Sequence, residues 1–277
     1  MPYQEERFTS RDGLSLYSQC WLPEGPAHGA VVVVHGFTEH SGRYARLAGD
    51  LNRQGYAVHG MDLRGHGKSE GSRCFLRSFT QHLDDLDRFL QRVGGKEPGK
   101  PLFLFGHSMG GMVLVQWAIQ RQPAVAGLVL SAAALKLPAG LFPVLRRLVW
   151  LPSLLTPRLR LVRLGSRMLS RDKAVVEDFR RDPLVFHGRI PVRTGAELLA
   201  AMRRIDRDME AVRTPLLILH GTGDRLSDME GSRQLYRRAA AADKTLRLYE
   251  GLYHELLSEP ERAEVLADVL AWLDARL

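Results

Sequence analysis

Short blocks of consecutive apolar residues alternate along the chain with longer stretches in which apolar positions recur every three or four residues. The blocks AVVVVHG (30–36), YAVHGMDL (56–63), PLFLFGHS (101–108), GLVLSAAA (127–134), PLLILHG (215–221) and TLRLYEG (245–251) predict strands. Most are continuous rather than alternating, the pattern of strands buried on both faces of a parallel sheet. Helical spacing falls between and after them, at 44–54, 82–93, 111–122, 231–242 and 261–277. Ahead of these, ERFT and LSLYSQCW flank Asp12-Gly13, whose turn chemistry predicts an antiparallel hairpin. Strand–helix alternation of this kind predicts an α/β fold with a mostly parallel, doubly wound sheet.

The rhythm breaks between about Lys136 and Met209, where the pieces are short, interrupted by proline and without a convincing strand. The chain therefore reads as a core formed by residues 1–135 and 210–277, with 136–209 inserted as a helical cap over the carboxyl edge of the sheet. Within the insertion, LFPVLRRLVWLPSLLTPRLRLVRLG (141–165) is both greasy and rich in arginine. As a helix it would gather Leu141, Leu145 and Leu148, with Phe142, Val144 and Val149, on one broad face, and Arg146, Arg147 and Trp150 on the other. Thr156-Pro157 is a possible helix start, although the Arg/Leu alternation after it also suits a strand.

Composition narrows the function classes. At 277 residues, 45% hydrophobic and 25% charged, the chain can bury a large core and is neither a disordered nor a repeat sequence. Its start is polar, no apolar run is long enough to span a bilayer, and Cys20 and Cys74 have no metal-site spacing, so a cytoplasmic location is expected. A disulfide is possible but not needed at this size. The net charge of +8 comes with no nucleic-acid-binding module. It gathers instead in the insertion, where Lys136, Arg146, Arg147, Arg158, Arg160, Arg163, Arg167 and Arg171 face Asp172 alone. That surface is either a solvated face or one drawn to anionic lipid.

Chemistry enters at Gly106-His107-Ser108-Met109-Gly110, after an apolar strand block and before a helical one. A sharp strand-to-helix turn exposes the serine hydroxyl, and small flanking residues let the backbone pack that tightly. A serine nucleophile needs a base, and the base an acid. In the chain order Ser, acid, His, Asp224 follows the block PLLILHG and His254 follows the last strand block, both at carboxyl ends of strands where ligands bind in open α/β sheets. Asp228 is the competing acid. Among other histidines, His107 should point away from the serine, His220 precedes the acid, and His28, His59 and His187 lack strand-end context. The amides of Met109 and Phe37 are candidates for an oxyanion hole.

Five stretches, HGFTEHSGRY (35–44), DLRGHGKSEG (62–71), GHSMGG (106–111), HGTGDRLSD (220–228) and YEGLYHELLSEP (249–260), together resemble the monoacylglycerol lipase/lysophospholipase group of α/β-hydrolases. The resemblance implies an α/β-hydrolase fold, a Ser108–His254–Asp224 triad, an oxyanion hole from Phe37 and Met109, and a helical cap over a channel for one acyl chain. Glu39 and Arg43 also match, and a network bracing the oxyanion loop is expected of them. No metal or organic cofactor is implied.

The expected activity is hydrolysis of monoacylglycerol or a related single-chain lipid ester. Lysophospholipase, broad carboxylesterase and peptidase activities would use the same residues. A non-catalytic ligand receptor on the same fold is the alternative from a different class. Burial of an acyl chain gains about 0.8 kcal/mol per methylene, which requires an apolar roof. Leu141, Leu145 and Leu148 are candidates to line it, while the arginine face would rest on an anionic membrane.

Overall fold

The computed structural model describes residues 2–122, 124–138, 152–163 and 165–277. Leu141, Leu145 and Leu148, with the rest of the amphipathic face expected at 141–150, lie outside the described residues.

Among the described residues, eight strands form one sheet in the order β1-β2-β4-β3-β5-β6-β9-β10. β1 (Tyr3–Thr9) and β2 (Ser15–Trp21) make the antiparallel hairpin, turning at Gly13 with φ 89°, and β2 pairs antiparallel with β4 (Tyr56–Met61). All other neighbours, β3 (Gly29–Val34), β5 (Leu102–His107), β6 (Gly127–Ser131), β9 (Leu216–Gly221) and β10 (Lys244–Tyr249), run parallel.

The uniform apolar runs follow from this arrangement, because helices cover both faces. Val31 and Val33 point to the side packed by α1 (Ala45–Arg53) and the C-terminal helix (Arg262–Asp274), through Leu47, Leu51, Val265 and Trp272. Val32 and Val34 point to the other, against α2 (Thr80–Lys96) and α3 (Met109–Arg121), through Leu83, Leu86, Met112 and Val113. Each fully buried side chain of this kind is worth about 1.5–3 kcal/mol relative to exposure.

β6 pairs directly with β9, so the described residues between them lie outside the main sheet. Here the structure corrects two readings. A small antiparallel pair, β7 (Arg160–Val162) with β8 (Ile190–Pro191), stands where no strand was expected apart from the ambiguous Arg/Leu alternation. Thr156-Pro157 also starts no helix. The Thr156 amide closes back on the Pro152 carbonyl at 2.8 Å, and the chain turns at Pro157, which has no N–H to extend the ladder, into β7. Beyond β7, α4 (Lys173–Arg181) is capped by Asp172, whose carboxylate accepts from the Ala174 amide, and α5 (Val192–Asp208) inserts Leu199, Met202 and Ile205 into the core cluster over α3. α6 (Met229–Arg238) follows β9, and the C-terminal helix is α7.

Candidate active site

Ser108 occupies the turn between β5 and α3 with φ 51° and ψ −114°, a left-handed conformation that costs energy for a side-chain-bearing residue. The flanking glycines make the turn possible. A Cβ on Gly110 would lie 2.0 Å from the Val34 carbonyl oxygen, and one on Gly106 would lie 2.8 Å from the Gly110 backbone. The expected glycine requirement is thus met by backbone contacts that leave no room for a methyl.

Asp224 lies just past β9 and His254 past β10. His254 Nδ1 donates to Asp224 Oδ2 at 2.7 Å, and because an ionised carboxylate only accepts, the imidazole tautomer is set with its proton on Nδ1. The Asp224 side chain is fully buried, which disfavours its charge, but hydrogen bonds from His220 and His254 outweigh that and hold its pKa far below the usual carboxylate range. Oδ1 accepts the Leu226 and Ser227 amides at 2.8 and 3.1 Å, and Oδ2 also takes the Ser227 hydroxyl at 2.7 Å. Asp228, the rival acid, is spent elsewhere: it caps α6 by accepting the Glu230 amide at 2.9 Å.

Ser108, His254, Phe37 and Met109 line one cavity of about 890 Å³, within the size range of ligand pockets. No hydrogen bond among the described residues joins the Ser108 hydroxyl to His254, a contact that often closes when substrate arrives. Nor does any described hydrogen bond use the amides of Phe37 and Met109, so both donors remain available beside the serine. Much of the cavity wall is apolar, with Met112, Leu137, Ile190, Val192, Leu199 and Met202 contributing.

Three features of the site escaped the sequence. His107 does not point away: its ring lies 4.8 Å from that of His254 and lines the cavity, because the turn at Ser108 folds residues 107 and 108 together around Gly36. Burial and the neighbouring His254 lower its pKa to about 4, so it is neutral at pH 7. His220, dismissed as a base, instead buttresses the acid, with Nε2 3.2 Å from Asp224 Oδ2 and Nδ1 2.7 Å from the Ser232 hydroxyl. Its spacing of four residues from Asp224 around a glycine-containing turn was the available signal. Third, the bracing network expected of Glu39 and Arg43 reaches further than their own loop. Glu39 accepts from the Gly36 amide at 2.6 Å, the Tyr44 hydroxyl at 2.7 Å and Arg43 at 2.5 Å, and Arg43 continues to Glu255, next to His254.

Comparison with known proteins agrees with this geometry. Residues 25–261 match the family model described as "Serine aminopeptidase, S33". The chain belongs to that family. Within it, the chain is 34% identical to the monoacylglycerol lipase of Mycolicibacterium smegmatis, over 99% of this chain and 98% of that one. It is 37% identical to the human monoglyceride lipase, over 100% and 92% of the two chains. The crystal structure of a soluble variant of monoglyceride lipase from Saccharomyces cerevisiae, in complex with a substrate analog, superposes with a TM-score of 0.89 at 26% identity, covering 99% of this chain and 94% of that one. The family member described here is thus a serine ester hydrolase of the monoglyceride lipase group, built on the α/β-hydrolase fold. Among its described residues no helix is long and apolar enough to cross a membrane, and both cysteines are free and buried.

Proposed function

We propose that the protein hydrolyses monoacylglycerols to glycerol and fatty acid, with Ser108 as nucleophile, His254 as base and acid, and Asp224 as its orienting carboxylate. The observation that carries the reading is an apolar cavity opening onto both Ser108 and a His254 whose tautomer is held by Asp224. His254 Nε2 takes the serine proton as Ser108 attacks the ester carbonyl, and the Phe37 and Met109 amides stabilise the oxyanion. The ester C–O bond then breaks, His254 returns the proton to the departing glycerol, and a water activated by the same imidazole releases the fatty acid. His107, neutral and in contact with the His254 ring, adds no competing positive charge.

Residues 136–209 act in this reading as a cap. Val192, Leu198, Leu199 and Met202 of α5 bury the acyl chain, each methylene gaining about 0.8 kcal/mol. The same segment exposes Leu154, Leu155 and Leu159 beside Arg158 and Arg160. Exposed leucines among arginines that form no ion pair with the described residues favour peripheral docking of a cytoplasmic enzyme on anionic lipid over a merely solvated face.

Two experiments test these readings. Fluorophosphonate should label wild type but not Ser108→Ala, and a panel of monoacylglycerols, short-chain esters and a peptide amide should show turnover rising with acyl length. Labelling without length dependence, or faster cleavage of the amide, would remove the lipase reading. Sedimentation with anionic and neutral vesicles at low salt tests docking, and equal recovery with both would end it.

A further inference from the structure

If His254 protonates the departing alcohol, as the proposed function requires, whatever that alcohol carries must lie on the His254 side of the cavity. Two segments are pinned there. The amide of Glu255, the residue after His254, donates to the Leu169 carbonyl at 2.8 Å. Arg43, which holds the Glu255 carboxylate, packs its guanidinium 4.8 Å from the centre of the Phe179 ring. Residues 165–169 and the end of α4 are therefore fastened beside the base, and both belong to the cavity wall.

What they present is positive. Arg163, Arg167 and Arg180 line the cavity and are exposed at its edge, and Arg180 Nε donates to the Ser166 hydroxyl at 3.0 Å. Arg163 and Arg167 form no ion pair among the described residues, and residues 1, 123, 139–151 and 164 include no aspartate or glutamate that could supply one. Arg180 has a distant carboxylate, Glu177 at 3.8 Å, which sits closer to Arg181 at 2.8 Å. The two carboxylates in the cavity wall, Glu39 and Glu255, are both committed to Arg43. Glycerol is neutral and gives these guanidinium groups nothing to balance. A phosphate does, because the planar fork of arginine matches its oxygens in charge-assisted hydrogen bonds.

We propose that the headgroup side of this cavity is an anion site, through which the enzyme also takes single-chain phospholipids and prefers those with a net negative headgroup over zwitterionic ones. Hydrolysis follows the same course. Ser108 takes the acyl group, the acyl C–O bond breaks, the glycerophosphate-bearing alcohol leaves with the proton from His254, and one water completes release of the fatty acid.

The test compares three monomeric substrates with the same medium-length acyl chain, below their critical micelle concentrations and without vesicles: a 1-acylglycerol, lysophosphatidylglycerol and lysophosphatidylcholine. The last keeps the phosphate but has no net charge. Wild type should favour lysophosphatidylglycerol over lysophosphatidylcholine in kcat/KM by about tenfold, the scale of one charge-assisted hydrogen bond. The double variant Arg167→Gln/Arg180→Gln should collapse that ratio, and Arg167→Lys/Arg180→Lys should restore part of it; thermal midpoints verify that each variant folds. A wild-type ratio at or below one, or a ratio unmoved in the glutamine variant, overturns the proposal. So does a preference that appears only when substrate is presented in anionic vesicles, since the arginines would then read a membrane surface. Failure of all three substrates together with absent fluorophosphonate labelling would instead remove the hydrolase reading beneath it.

Discussion

Arg43 grips Glu255 with two hydrogen bonds, of 2.8 and 2.9 Å, across 212 residues of sequence. The same guanidinium holds Glu39, whose other oxygen takes the Gly36 amide in the loop that presents Phe37. One cation thus ties the candidate oxyanion loop to the loop carrying His254. Arg43→Met would leave two buried carboxylates without their partner, and breaking a buried pair of this kind costs about 3–5 kcal/mol. A fall of that size in the unfolding free energy, read from urea denaturation, is expected. Glu255→Gln, which keeps a hydrogen-bond acceptor, should spare stability more than turnover, because it slackens the link to His254.

Asp224 and Asp228 make opposite predictions although four residues apart. Asp224→Asn removes the acceptor that sets the His254 tautomer and should lower kcat by roughly 10⁴-fold, as in other triads. Asp228→Ala removes the α6 cap and should cost about 0.5–2 kcal/mol of stability while leaving kcat near wild type. Steady-state kinetics and thermal unfolding of the pair separate the roles, and an inactive Asp228→Ala enzyme would reverse the assignment of the acid.

Gly110→Ala should fold poorly or not at all. Its Cβ would meet the Val34 carbonyl oxygen at 2.0 Å, a backbone atom in the central sheet that has no rotamer with which to move aside. Gly94→Ala, at a helical position with nothing within 4 Å, is the control and should be neutral or stabilising by up to about 1 kcal/mol. Soluble yield and thermal midpoint read both.

Acid stability follows from Glu39. Burial raises its pKa, but Arg43, the neighbouring His107 and His35, and the Tyr44 hydroxyl together lower it from the ordinary 4.5 to about 2. A carboxylate with a depressed folded-state pKa contributes stability that is fully present above its unfolded value and is lost as pH falls through the folded one. Wild type should therefore exceed Glu39→Gln in urea midpoint at pH 7, with the gap narrowing between pH 4.5 and about 2. A gap constant across that window would show that the network does not depend on the Glu39 charge.

Much of this protein was legible along the chain because its signals are local. Unbroken apolar runs such as AVVVV require helices on both faces, so they specified parallel strands before any partner was known, and the order of Ser108, Asp224 and His254 after such runs specified a common rim. What the tertiary structure alone decided depends on which distant segments meet. The β7–β8 pairing joins runs too short to carry a periodicity, and the cavity wall draws on α5 as well as the residues around 165. His220 could be dismissed by chain order yet still touch the acid, because a turn after β9 folds Asp224 back onto the strand it has just left. Arg43 could be paired from sequence with Glu39 in its own loop, but nothing along the chain pointed to Glu255, 212 residues away. Only when two loops close on it do the carboxylates from both find the same guanidinium, since hydrophobic spacing determines which face a side chain takes and says nothing of which charge will be waiting there.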